Sequence, residues 1–78
     1  MHHPPLPAEH VLARRRAIGT RMRAARLHAN LTQETVALRA DIRIATYSRI
    51  ENGHASPVLD TLIRIADALD VPLADLVR

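Results

Sequence analysis

The sequence has no cysteine, lysine, phenylalanine or tryptophan, and its one aromatic residue is Tyr47. Without cysteine there is neither a disulfide framework nor a thiolate metal site, which fits a reducing compartment. No apolar run approaches the roughly 20 residues that cross a bilayer, and the N-terminus lacks a secretory apolar segment. A soluble cytoplasmic protein with no membrane partner is therefore expected. The only glycines, Gly19 and Gly53, lie far apart, so there is no glycine-rich phosphate loop. No Ser/His/Asp constellation is present either. A single domain of 78 residues buries only about 60% of the surface its unfolded chain exposes and offers little concave volume for a pocket. No catalytic residue, and no cofactor, is nominated. His2, His3 and His10 could hold a stray metal ion, but no histidine pair stands on an ordered helix at ligand spacing beside a carboxylate. No metal site is assigned.

The positive charge is carried entirely by arginine. Codon bias in a GC-rich genome accounts for that better than selection for guanidinium chemistry, so distribution is more telling than number. Residues 1–49 carry nine arginines against Glu9, Glu34 and Asp41, a net of +6. Residues 50–78 carry Arg64 and Arg78 against Glu51, Asp60, Asp67, Asp70 and Asp75, a net of −3. A basic front and an acidic back suit a polyanion bound on one side.

The periodicity is helical throughout, with no strand pattern and no internal repeat. Residues 1–7, Met-His-His-Pro-Pro-Leu-Pro, are expected to form a flexible arm, followed by one domain over residues 8–78 with its core at about 17–77. A first helix starts near Pro7 and meets only Gly19, which costs about 1 kcal/mol relative to alanine. Its inward stripe is Ile18, Met22, Ala25 and Ala29, and the part before Ile18 is expected to be solvated or used in assembly. Asn30 is the stop. Thr32 caps a second helix, with Glu34 in its first turn, and that helix points Val36, Ala37 and Ala40 inward. Asp41 and Ile42 form a turn. A third helix, about 44–52, points Tyr47 and Ile50 inward and ends at Gly53. Ser56 and Pro57 are expected to open a fourth helix with the stripe Leu59, Leu62, Ile63, Ala66 and Leu69. Asp70 stops it, and Pro72 opens a short fifth helix through Leu73, Leu76 and Val77. The fold class is all-α with five helices.

From Ile18 to Leu76 the chain closely resembles the Cro/C1-type helix-turn-helix family, also called the XRE family. The matching pieces are Ile18-Gly19-x-Arg21-Met22-Arg23-x-x-Arg26, then Leu31-Thr32-Gln33-Glu34, then Tyr47-Ser48-Arg49-Ile50-Glu51-Asn52-Gly53. The last is Leu62-x-x-Ile65-Ala66-x-Ala68-Leu69-x-Val71-Pro72-Leu73-x-x-Leu76. Each alone is weak, but in this order and spacing they form a strong signature. The resemblance implies a compact five-helix bundle of the lambda-repressor-like DNA-binding type. Helices two and three form the helix-turn-helix, with helix three in the major groove. It also implies a regulator of bacterial or phage promoters, associated with the nucleoid, that binds a pseudo-palindromic double-stranded DNA operator as a homodimer. Where the family prefers glycine at helix stops, this chain has Asn30, Asp41 and Asp70, the residue types that reach left-handed geometry most easily after glycine. Where the family has a Ser or Thr cap for helix three, this chain has Arg43, a loss of about 1 kcal/mol that places a guanidinium at the groove edge.

Carried onto these positions, the base-contacting candidates are Gln33, Ile44, Ala45, Ser48 and Arg49. Gln33 suits adenine, Arg49 suits guanine, and Ile44 or Ala45 suits a thymine methyl. Phosphate candidates are Arg23, Thr32, Arg39, Arg43, Thr46 and Asn52, which set register without reading sequence. By the same resemblance Arg26 and Glu51 form a structural ion pair between helices one and three. Tyr47 is expected in the core with its hydroxyl at the rim, and His54 is a weak phosphate candidate. Arg14-Arg15-Arg16 is either a solvated face or a DNA or dimer contact. The exposed apolar residues of the last helix, among Val71, Leu73, Leu76 and Val77, are the expected dimer surface. The alternative function is an antitoxin-like module that sequesters a protein partner and uses DNA binding for autoregulation.

Overall fold

The computed structural model describes residues 8–78, so the expected arm, and Pro7 as a first helical residue, lie outside the described residues. Five helices follow in order: α1 Glu9–His28, α2 Gln33–Ala40, α3 Ile44–Glu51, α4 Leu59–Leu69 and α5 Leu73–Val77. There is no strand among the described residues, and no described helix is long and apolar enough to cross a membrane.

The first four helices all end by one device. Asn30, Asp41, Gly53 and Asp70 adopt φ of 58°, 57°, 77° and 56°. The residue after each donates its N–H back across the last turn, Leu31 to Arg26 O at 3.0 Å, Ile42 to Ala37 O at 3.0 Å, His54 to Arg49 O at 2.8 Å and Val71 to Ala66 O at 3.1 Å. This 6→1 bond satisfies a carbonyl that the helix would otherwise leave unpaired. At three of the stops the donating residue is apolar, and Leu31, Ile42 and Val71 pack against the core. Each helix end therefore also aims the chain inward. Only α2 has a side-chain N-cap, Thr32 Oγ1 accepting from Thr35 N at 3.1 Å. Arg43 stands at the N-cap of α3 with no capping side-chain bond.

The largest fully buried side chains are Met22, Val36, Tyr47, Ile65 and Leu76, one from each helix in turn. No helix could bury its apolar stripe alone, and the five stripes meet at one centre.

Four expectations change. Helix α4 begins at Leu59 with Val58 at its N-cap, so Ser56 and Pro57 belong to the preceding loop. Its buried stripe is Ile65, Ala66, Ala68 and Leu69 with Leu62 half-buried, whereas Leu59 and Ile63 are 63% and 39% exposed. The apolar arc of α4, opposite Asp60, Arg64 and Asp67, is wide enough to hold two overlapping stripes, and packing against α2 selected the second. In α1, Ala29 is exposed because the helix has already ended at His28. Leu76 is 1% exposed and so drops out of the expected exposed surface, while Val71, Leu73 and Val77 pack against the core and stay half-buried.

Candidate nucleic-acid interface

Helix α3 divides cleanly. Tyr47, Ile50 and Glu51 are buried, while Ile44, Ala45, Thr46, Arg49 and Asn52 are exposed and Ser48 is half-buried. Residues 44, 45, 48, 49 and 52 recur at helical spacing, so they line one face. Ile44, an apolar side chain at 44% exposure, opens that face. Arg49 lies along it, its Nη2 donating to the His54 carbonyl at 3.2 Å, and Asn52 Nδ2 approaches Ser48 Oγ at 3.5 Å.

Two contacts set the pose of α3. The first is the ion pair: Arg26 Nε donates to Glu51 Oε2 at 3.0 Å and Nη2 to Oε1 at 2.9 Å, a two-pronged fork. Arg26 Nη1 also donates to the Leu31 carbonyl at 3.0 Å, so one guanidinium ties α1, the α1–α2 turn and α3 together. Gln33 Nε2 donates to the same Glu51 Oε1 at 3.3 Å, coupling the start of α2 to the end of α3. Burial pushes the Glu51 carboxyl up, but the Arg26 fork, with Tyr47 and Gln33, outweighs it and holds the group below the ordinary carboxylate range. That fork also raises the Arg26 guanidinium. Burial beside Glu51 pushes the Tyr47 phenol well above its ordinary value. The Tyr47 hydroxyl is fully buried beside the Arg26–Glu51 pair, near enough to act on both charges but without a well-formed hydrogen bond to either, and not at the rim as its amphipathic character suggested.

The second contact involves Gly19. A β-carbon there would stand 2.2 Å from the Glu51 carbonyl oxygen and 2.8 Å from its carbon. The backbones of α1 and α3 thus touch at a point only glycine allows. Gly53, which ends α3, presses on Arg16, whose Cγ would lie 2.8 Å from a β-carbon placed there. Contacts with the end of α3 therefore extend back to Arg16, two residues ahead of the stripe starting at Ile18.

The remaining candidates are spread around this centre. Thr32 is exposed but already engaged as a cap and shares a hydrogen bond with Thr35 Oγ1 at 2.9 Å. Arg23 and Arg43 are exposed. Arg39 leans on the last turn of α4, with Nη1 3.5 Å from the Ala68 carbonyl. Among the described residues Arg26–Glu51 is the one ion pair, which leaves Arg23, Arg43 and Arg49 without a carboxylate partner. No three His, Asp or Glu side chains among the described residues converge as a metal site requires. Sequence reasoning did not find the role of Gly19. The signal was an unexplained glycine inside a helix that gains nothing from it.

Five helices, a tight Asp41 turn and a second short helix with one bare face define the helix-turn-helix class. The family model for helix-turn-helix proteins matches residues 22–76, more than two thirds of the chain, and this protein belongs to that family, of the Cro/C1 (XRE) type, a family of DNA-binding transcription regulators. Among solved structures it is similar to the restriction-modification controller protein C.AhdI from Aeromonas hydrophila. The sequences are 28% identical, with a TM-score of 0.80, and 82% of this chain and 97% of that chain are covered. It is also similar in fold to the clp gene regulator ClgR from C. glutamicum, at 23% identity and a TM-score of 0.76, covering 94% of this chain and 86% of that one. No protein of curated function matches the sequence significantly.

Proposed function

We propose that this protein is a sequence-specific transcriptional regulator that binds duplex DNA as a homodimer, with α3 in the major groove. The bare face of α3 carries the proposal: polar and small apolar side chains in one row, on a helix locked from behind by Arg26, Glu51 and Gly19. Arg49 offers guanine a bidentate fork, Ile44 and Ala45 offer thymine methyls a surface, and Ser48 accepts or donates to either base type. Gln33, whose amide already bonds Glu51, reads a base with its remaining hydrogen-bonding capacity. Thr32, Thr46 and Asn52, with Arg23, Arg39 and Arg43, take phosphates on either side. C.AhdI, a controller protein in a restriction-modification setting, supports gene control as the setting for such binding.

Selection of bound DNA from a random pool tests this reading. The expected result is an inverted repeat with half-site centres about 34–36 Å apart. Log K should fall against log salt with a slope near −4.5 to −7, for about five to eight phosphates neutralised per dimer. A slope near zero with no enriched sequence overturns the reading, and a tight protein partner in pull-down would then favour the antitoxin-like alternative.

For the dimer surface we propose Val58, Leu59 and Ile63, which are 69%, 63% and 39% exposed on the first turns of α4. Leu59 and Ile63 share a face one helical turn apart. Leu59→Asp should give a monomer in sedimentation velocity, with little change in thermal stability, and weaken binding to a full inverted repeat by at least about tenfold. A variant that stays dimeric removes this surface from consideration.

A further inference from the structure

One concave feature, open to solvent on one side, lies apart from the bare face of α3. Between α1, the α3–α4 loop and α4 lies a cavity of about 140 Å³. Ile18, Ile50, Ala55, Pro57 and Leu62 line it. Ile50 is 3% exposed and forms its inner wall. Arg15 and Ser56 complete the lining. Ser56 is exposed and Arg15 half-buried, so the polar groups stand on the solvent side. Among the described residues Arg15 has no carboxylate within ion-pair distance. Of the three consecutive arginines it is the one drawn inward: Arg14 and Arg16 are exposed.

An apolar cavity of about 150 Å³ accommodates benzene, so the volume here matches a single aromatic ring or a short branched chain. A half-buried arginine at the cavity mouth with no acidic partner favours a planar carboxylate, which its guanidinium meets through two parallel N–H donors. We propose that this cavity binds a small monocarboxylate with an apolar body of about benzene size, its carboxylate held by the Arg15 guanidinium and the Ser56 hydroxyl. The bound acid bridges α1, the loop and α4 and rests on Ile50 of α3, so it stiffens the seam that positions the bare face. Wall-to-ligand contacts replace empty space, and each such contact adds dispersion energy the open cavity lacks.

The experiment needs no DNA and so stands or falls apart from the regulatory reading. The full chain, labelled with ¹⁵N, is titrated with benzoate, 3-methylbutyrate, acetate and the uncharged benzyl alcohol while amide shifts are followed. Benzoate and 3-methylbutyrate should give saturable shifts centred on Ile18, Ile50, Ala55, Ser56 and Leu62, half-complete at about 0.1–1 mM. Acetate, which has the charge without the body, should not saturate. Arg15→Gln should weaken benzoate at least about tenfold and leave benzyl alcohol within about twofold. Ala55→Leu, which fills the cavity, should abolish both. The proposal is overturned if benzoate fails to saturate by about 10 mM, if acetate does as well as benzoate, or if Arg15→Gln and Ala55→Leu bind benzoate like the parent.

Discussion

Glu51→Ala is expected to lower the unfolding free energy by about 3–5 kcal/mol, the usual cost of stranding one partner of a buried ion pair. A chain of this length has a total stability of about 4–12 kcal/mol, so the variant should lose a quarter or more of it and melt far below the parent, unfolded outright if the parent lies at the low end. The carboxylate receives both prongs of Arg26 and the Gln33 amide, and its side chain is 2% exposed. Alanine leaves a guanidinium that is itself only 12% exposed without its counter-charge. Unchanged thermal stability would show the pair to be incidental. The same pair sets a pH dependence. Glu51 is held below its ordinary pKa in the folded state, so the unfolded chain binds the proton first as pH falls. Its stabilisation is therefore fully present above about pH 4.3, the unfolded carboxylate value, and is lost as pH drops through the lower folded one. Acid melts of Glu51→Gln should lack that component.

The second large effect is expected at Gly19. In an ordinary helix interior Gly→Ala gains about 1 kcal/mol. Here the added carbon meets the Glu51 carbonyl at 2.2 Å, and the obstacle is backbone that cannot rotate away. Gly19→Ala should therefore destabilise by about 3 kcal/mol or more, lowering Tm by roughly 12–24 °C for a domain this small. A variant that folds at all should bind DNA less tightly, because α3 can make room only by moving off α1 with its exposed face. A melt at or above the parent temperature would mean the two helices do not touch as described. The two predictions separate two supports of one helix, charge pairing at Glu51 and backbone contact at the same residue.

Much of the fold was legible because its punctuation is local. Thr32 ahead of an acidic first turn, and Asn30, Asp41 and Asp70 after periodic runs, act within a few residues of themselves, and all four do in space what their chemistry predicts. The division of α3 was legible too, since Tyr47 and Ile50 fix its inward phase and put Ile44, Ala45 and Arg49 on the opposite side. The ion pair was reached only through the family resemblance, because nothing in the spacing of Arg26 and Glu51 says that they meet. What was not legible concerned choices among equals. Leu59 and Ile63 are as apolar as Leu62 and Ile65, and a helix with both sets carries no statement of which faces inward. Leu76 of the last helix looked like spare apolar surface for a similar reason, since a short stripe does not reveal whether its partner is the same chain or another.

Composition, charge asymmetry and helix punctuation by themselves determined an all-helical chain with a basic front and a turn between two short helices. Each depends on residues near one another in sequence. The tertiary structure alone decided which face of α4 is buried, that Gly19 is where two backbones meet, that Gln33 joins the Glu51 carboxylate, and that Arg15 borders a cavity. Those outcomes depend on distances between residues from roughly one helical turn to many turns apart in the chain, and only the common packing of all five helices sets them.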